Sequence, residues 1–186
     1  ETTYATFGAS EILSSCLRRN FLDCAVIAAD CIGTVVTSNP RIVQGLGGRI
    51  SELIKTSPIP EVIRRVEAAG GVVVDKKNAH IDQVEDVKIA IKKGYGRIGV
   101  ALVSPEEART CKILEKDRSV KILNVAVHTT DVRWSVEDIL CFDLITLCAS
   151  KNLRKSLKGL AKAQAGKINS YGSHLRAWER SSSQEI

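Results

Sequence analysis

The chain has 186 residues, 44% of them apolar, and carries a formal net charge of +6. That is enough apolar material for one core in one domain with a small appendage, which excludes a disordered chain and a disulfide-stapled miniature. No run of about eighteen apolar residues occurs, which excludes a membrane-spanning helix, and no secretory leader is evident.

Taken in order, the chain opens on Glu1 and contains no methionine, so a processed or truncated chain is expected. Residues 9–20 read as a helix that buries Ile12, Leu13, Cys16 and Leu17. Five short apolar runs follow, at 24–29, 71–74, 98–103, 122–127 and 144–149. Each reads as a buried strand, and the gaps between them hold helix signals. Residues 60–69 place Val62, Ile63 and Val66 on one face, with Pro60 in the first turn. Residues 82–93 open on Asp82, three residues before Glu85, and carry Val84, Val87, Ala90 and Ile91 at helical spacing. Ser104-Pro105-Glu106-Glu107 is a stronger start signal, and Ser135 to Asp138 repeats it less fully. Strands alternating with helices, joined by crossovers of a dozen or more residues, predict a parallel arrangement. The expectation is a three-layer, Rossmann-like α/β domain over residues 1–150 with a mainly parallel sheet of about five strands. Residues 33–37 either pair back on the first strand or continue across the sheet edge.

From Lys151 onward eight basic residues stand against two acidic ones, so the first 150 residues are neutral overall. Residues 151–186 are expected to form a basic helix, docked through Leu153, Leu157, Leu160 and Ala161, and a fraying tail. Nucleic acid is an unfavoured partner, because Tyr171 and Trp178 are isolated and no reading motif accompanies the charge. Cys16, Cys24, Cys31, Cys111, Cys141 and Cys148 are scattered without a CxxC pair. A reducing cytoplasm and no membrane association are therefore expected.

If the strands run the same way, their endings share one edge, where open α/β sheets bind ligands. The endings are Asp30-Cys31, Asp75, Ser104, His128-Thr129-Thr130 and Ser150. Asp30 either accepts hydrogen bonds from a ligand or caps its own turn. His128 with Thr129 and Thr130 offers an imidazole and two hydroxyls for acid–base work, the alternative being a histidine satisfied by a loop carbonyl. Cys148 becomes a nucleophile only within reach of His128, and burial is the commoner fate of such a thiol. Ser150 starts the last helix. The stretch after the first strand joins Thr34 to Gly45, Gly47, Gly48 and Arg49. These are candidates to hold an anionic group, or else a tight turn packed against backbone. His80 and Asp82 lack a third partner, so no metal site is expected, and no cofactor is assigned.

The wording of several stretches is also familiar. FGASEIL at 7–13, the long run at 23–63 with its TSNP, VQGLGGR and KTSPIPE words, the 79–95 helix, NVAVHTTDV at 124–132 and DLITLCASKNLR at 143–154 resemble the archaeal family called methanogenesis marker protein 8. The similarity covers 7–154 in order. Cys31-Ile32 beside Asp30 and the continuation after Gly166 depart from the family pattern, and family members carry a region ahead of this chain's start. The resemblance implies a cytoplasmic archaeal protein found beside methyl-coenzyme M reductase; with the strand-edge reading, the alternatives are a domain that binds a small anionic metabolite and an assembly or maturation factor for that system. It implies no reaction and no catalytic residues.

Overall fold

A computed structural model describes residues 8–47, 57–147 and 150–157, and the backbone of 164–165 and 170–172. In chain order the elements are helix α1 (Ala9–Arg18), strands β1 (Cys24–Ala29) and β2 (Gly33–Thr37), and helices α2 (Pro40–Leu46) and α3 (Pro60–Ala68). Strand β3 (Val72–Val73), helix α4 (Gln83–Lys92), strand β4 (Arg97–Leu102), helix α5 (Pro105–Arg118) and strand β5 (Lys121–Ala126) come next. Helix α6 (Val136–Ile139), strand β6 (Leu144–Thr146), helix α7 (Lys151–Ser156) and the short strands β7 (Gln164–Ala165) and β8 (Ser170–Gly172) complete the described chain.

Six strands lie side by side in the order β3-β2-β1-β4-β5-β6, and β8 and β7 extend the β6 edge. Pairs β1–β4, β4–β5 and β5–β6 are parallel, with Cys24 opposite Ile98, Ile98 opposite Ile122 and Val125 opposite Leu144. The main body of the sheet therefore holds six strands where about five were expected, and β8 and β7 add two short ones at its edge. The uncounted one is β2, which returns antiparallel along β1 with Ala29 opposite Gly33. Its hairpin closes through only three residues because Cys31 (φ 66°) and Gly33 (φ 73°) both adopt the left-handed region. Strand β3 pairs antiparallel with β2, so β1, β3, β4, β5 and β6 all point the same way.

Strands β1, β4 and β5 are buried on both faces, which is why the sequence shows continuous apolar runs there rather than alternation. Cys24, Val26, Ile98, Val100 and Ile122 join one cluster with Val87 and Ala90 of α4, Ala108 and Cys111 of α5, and Leu153 of α7. Ala25, Ile27, Leu123 and Val125 join another with Leu13 and Leu17 of α1, Ile42 and Val43 of α2, and Ile63 and Val66 of α3. Burial pushes the Cys24 thiol up to about 12, with help from the Asp23 charge, and burial does the same to Cys111.

The start signals act as the sequence suggests. At α5 the Glu107 amide donates to Ser104 Oγ at 3.2 Å and the Ser104 amide donates back to Glu107 Oε2 at 3.1 Å. The Glu85 amide donates to Asp82 Oδ1 at 2.9 Å, and Ser135 with Asp138 closes a second capping box at α6. Helix α2 lies in a stretch to which the sequence reading assigns no element. Asn39 accepts the Arg41 amide at 2.9 Å and Pro40 occupies the first turn, so a cap and a proline start a seven-residue helix.

Two carboxylates stand in front of strands and tie the sheet together. Asp23, before β1, accepts the amides of Gly96 and Arg97 at 3.1 and 2.7 Å and the Arg97 guanidinium at 2.6 Å. Those bonds hold its carboxyl below the usual range against the opposing effect of burial. Asp143, before β6, accepts Lys112 Nζ at 2.8 Å and the Asn124 amide at 2.8 Å. Asn124, fully buried in β5, donates its side-chain amide to the carbonyls of Ala108 and Cys141, both at 3.2 Å. Burial dominates at Asp143 and holds its carboxyl above the usual value in spite of Lys112.

Candidate functional site

Because five strands share a direction, their last residues lie along one edge of the sheet. The hairpin turn 30–32 leaves β1 there, and the loop after β3 packs against it. The Thr34 amide donates to the His80 carbonyl at 3.2 Å, and Thr34 Oγ1 accepts the Asp82 amide at 2.9 Å. Asp75 in that loop accepts the amides of Lys77 and Asn78 at 3.1 and 2.9 Å. Its exposed carboxyl is held below the ordinary value, mainly by the Asn78 side chain. Strand β4 runs into the Ser104 cap of α5.

The exit from β5 is built differently. His128 (φ 53°) and Asp131 (φ 56°) both take the left-handed conformation, and His128 is exposed. Thr129 between them is fully buried, and its hydroxyl donates to the Thr146 carbonyl, while Thr146 Oγ1 donates to the Ala126 carbonyl at 2.8 Å. These two hydroxyls stitch the end of β5 to β6, and the chain then turns His128 and Thr130 outward. Ser150 is buried and accepts the Leu153 amide at 3.3 Å as the cap of α7.

Left-handed backbone at non-glycine residues costs energy and concentrates at functional positions. Six described residues adopt it. Asn20 and Ser119 lie directly beyond α1 and α5, where such a conformation ends a helix. The other four, Cys31, Ala79, His128 and Asp131, all follow the ends of β1, β3 and β5.

Gly45 lies within α2 and Gly47 caps its end, where the Gly47 amide donates to the Val43 carbonyl at 2.9 Å. A Cβ on Gly47 would fall 1.9 Å from Ser10 Oγ, so glycine here permits close packing of α2 on the start of α1. Gly48, Arg49 and Cys148 lie outside the described residues. The chain is described again from Ser57, and the Ile59 amide donates to the Cys31 carbonyl at 2.9 Å. The structure thus brings Asp30 and Cys31 beside the 57–59 segment, and Thr129 beside Thr146. Thr34, Thr129 and Ser150 use their hydroxyls in local bonds.

Of the residues around a cleft of about 570 Å³ at the far end of this edge, the sequence marks only Ser135, as a helix start, and Leu153, as a docking residue, and none as a site residue. The cleft lies between the segment leaving β5 and helix α7, lined by Val132, Arg133, Trp134 and Ser135 on one side and Asn152, Leu153 and Ser156 on the other. Trp134 stacks on Phe142 at 4.9 Å between ring centroids. One signal was present: Arg133 and Trp134 follow shortly after the His128-Thr129-Thr130 tip. Asp86, in the first turns of α4, was also missed. It is 2% exposed, its Oδ2 has no hydrogen-bond partner among the described residues, and burial with the charges of Asp82 and Glu85 pushes its carboxyl up to about 7. Among the described residues no group of three or more histidines, cysteines or carboxylates is arranged to hold a metal ion, and no helix is long and apolar enough to cross a membrane.

Residues 1–173 match the profile of a family described as "Uncharacterized protein conserved in archaea (DUF2099)". An uncharacterized protein of Methanocaldococcus jannaschii is 56% identical over 161 residues, covering 87% of this chain. The chain spans 57% of the length of that curated relative. No solved structure matches the chain.

Proposed function

Since the chain belongs to the archaeal family described as "Uncharacterized protein conserved in archaea (DUF2099)", we propose from its geometry that it binds a small anionic molecule at the C-terminal edge of the sheet. The observation that carries this reading is the shared direction of β1, β3, β4, β5 and β6, which delivers five strand ends to one side. Two apolar clusters built from alternate strand residues, each with its own helices, support a three-layer, Rossmann-like frame around that edge. The four strained residues at the strand ends support function there rather than at the opposite side.

In this reading Asp30, Thr34, Thr129, Thr130 and Ser150 shape the polar edge, and Gly45, Gly47, Gly48 and Arg49 are the residues assigned to the anion. His128 is the group available for proton transfer, and Cys148 the nucleophile, if the bound molecule is also turned over. The resemblance to methanogenesis marker protein 8 and a relative from a methanogen support a role beside methyl-coenzyme M reductase and its cofactor chemistry. The free thiols of Cys16, Cys24, Cys31, Cys111 and Cys141 support a reducing, cytoplasmic setting.

A second reading, a non-catalytic assembly or maturation factor for the methyl-coenzyme M reductase system, draws on a different observation. Ile113 on α5 is 60% exposed, and Val136 and Leu140 are 43% and 52% exposed on either side of Asp138. Arg109, one turn before Ile113, donates to Asp138, so these apolar side chains belong to joined elements.

Native mass spectrometry of protein purified anaerobically from its own cells tests both. Ligand binding predicts a retained small acid whose occupancy falls with His128→Ala while the fold persists. An apo chain carrying a stoichiometric partner subunit, lost on Ile113→Asp, overturns ligand binding in favour of the second reading.

A further inference from the structure

The cleft between the β5 exit and α7 joins an aromatic ring, a cation without a carboxylate partner among the described residues, and the Asn152 carboxamide, from two separate stretches of chain. We propose that it takes a planar ring carrying an acidic substituent, with Trp134 against the ring and Arg133 on the acid. This rests on the edge-binding reading above, whose anion is assigned to the glycine stretch, and adds a separate ligand position and its class at the far end of the same edge.

Size is the first argument, since about 570 Å³ falls within the range of roughly 300–1,000 Å³ typical of small-molecule sites. Rigidity is the second. Phe142, 1% exposed, lies behind Trp134 with the two ring planes only 14° apart, so the indole is held in a fixed orientation. A platform already ordered before binding loses little entropy when a ring docks on it.

Charge is the third. Arg133 pairs with no carboxylate among the described residues, and no carboxylate lines the cleft. Asp138, the acidic group one short turn away, is taken by the Arg109 guanidinium and the Ser135 amide. A planar guanidinium grips carboxylate or phosphate through paired hydrogen bonds. The Asn152 carboxamide, without a partner among the described residues, offers a donor and an acceptor to the edge of a ring.

The chain has two tryptophans, so Trp178→Phe leaves Trp134 as its sole indole reporter. Fluorescence titration of that variant with adenosine monophosphate, nicotinate, adenosine and ribose phosphate separates the contributions, and the first two separate phosphate from carboxylate. The expected result is quenching by adenosine monophosphate or nicotinate at least about tenfold tighter than by adenosine or ribose phosphate. Arg133→Gln is expected to remove that advantage and leave adenosine binding unchanged. Trp134→Leu, read by calorimetry after circular dichroism has checked the fold, is expected to weaken the ring-bearing acids alone. Equal binding of ribose phosphate and adenosine monophosphate, or no binding of either ring-bearing acid at millimolar concentration, overturns the proposal. If the protein from its own cells retains an acid that Arg133→Gln and Trp134→Leu leave in place, the cleft assignment falls while the edge reading stands. If nothing is retained and no probe binds, both fall.

Discussion

The two ends of the strands handle polar groups in opposite ways. In front of β1 and β6, Asp23 and Asp143 accept backbone amides and a cation each, and their bonds reach across neighbouring elements. Past the other ends, the backbone is strained at Cys31, Ala79, His128 and Asp131, Asp86 keeps one buried oxygen unbonded among the described residues, and Arg133 pairs with no carboxylate among them. The first end spends its polar groups on holding the sheet together. The second spends Thr34, Thr129 and Ser150 on local bonds but keeps strained backbone, and a fold can carry that strain because the first end and the two apolar clusters over-determine the structure.

That contrast is open to attack in order of expected effect. Asp143→Ala leaves Lys112 and the Asn124 amide without their acceptor, and a loss of about 3 kcal/mol in chemical denaturation is expected, with ligand affinity unchanged. A loss below about 1 kcal/mol would mean that water replaces the carboxylate and that this end is not the rigid one.

Asp86 gives the next largest effect, through pH. Its carboxyl is raised from 3.8 to about 7 in the folded state, so the folded chain keeps a proton that the unfolded chain releases. The contribution of Asp86 to stability is therefore most favourable below about pH 4, falls as pH rises towards 7 and levels off above that. Asp86→Asn is expected to flatten this slope and to gain roughly 2 kcal/mol at pH 8, measured by denaturation at several pH values. An unchanged slope would show that the carboxylate is already bonded or hydrated.

Thr129→Val removes the hydroxyl that ties the β5 exit to β6, and a loss of about 1 kcal/mol is expected in the same measurement. Smallest of all, Arg133→Gln is expected to shift stability by less than about 0.5 kcal/mol, because the guanidinium has no carboxylate partner among the described residues to lose. A larger shift would move Arg133 to the structural side of the comparison.

Strand positions were readable because strands buried on both faces leave uninterrupted apolar runs, as in Ile98 to Leu102. Helix starts were readable where a cap and a proline coincide, as at Ser104-Pro105. Asn39-Pro40 carried the same pair of signals, yet α2 went unread because only Ile42 and Val43 bury their side chains beside Gln44. Strand β2 was ambiguous because the direction of a five-residue apolar run depends on the turn ahead of it, here set by Cys31 and Gly33. The edge itself was legible from the strand endings. The cleft was not, because Trp134 and Asn152 become neighbours only when Leu153 and Leu157 seat α7 on the core. The Asn124, Lys112 and Asp143 network was hidden for the same reason, each residue lying on a different element.

Amide chemical-shift mapping of isotope-labelled protein, titrated with adenosine monophosphate, compares the two ends directly. Perturbations confined to the 128–135 segment and α7, with Asp23, Arg97, Asn124 and Asp143 unmoved, are the predicted result. Shifts centred on those four residues, or spread evenly over both ends of the strands, would contradict it.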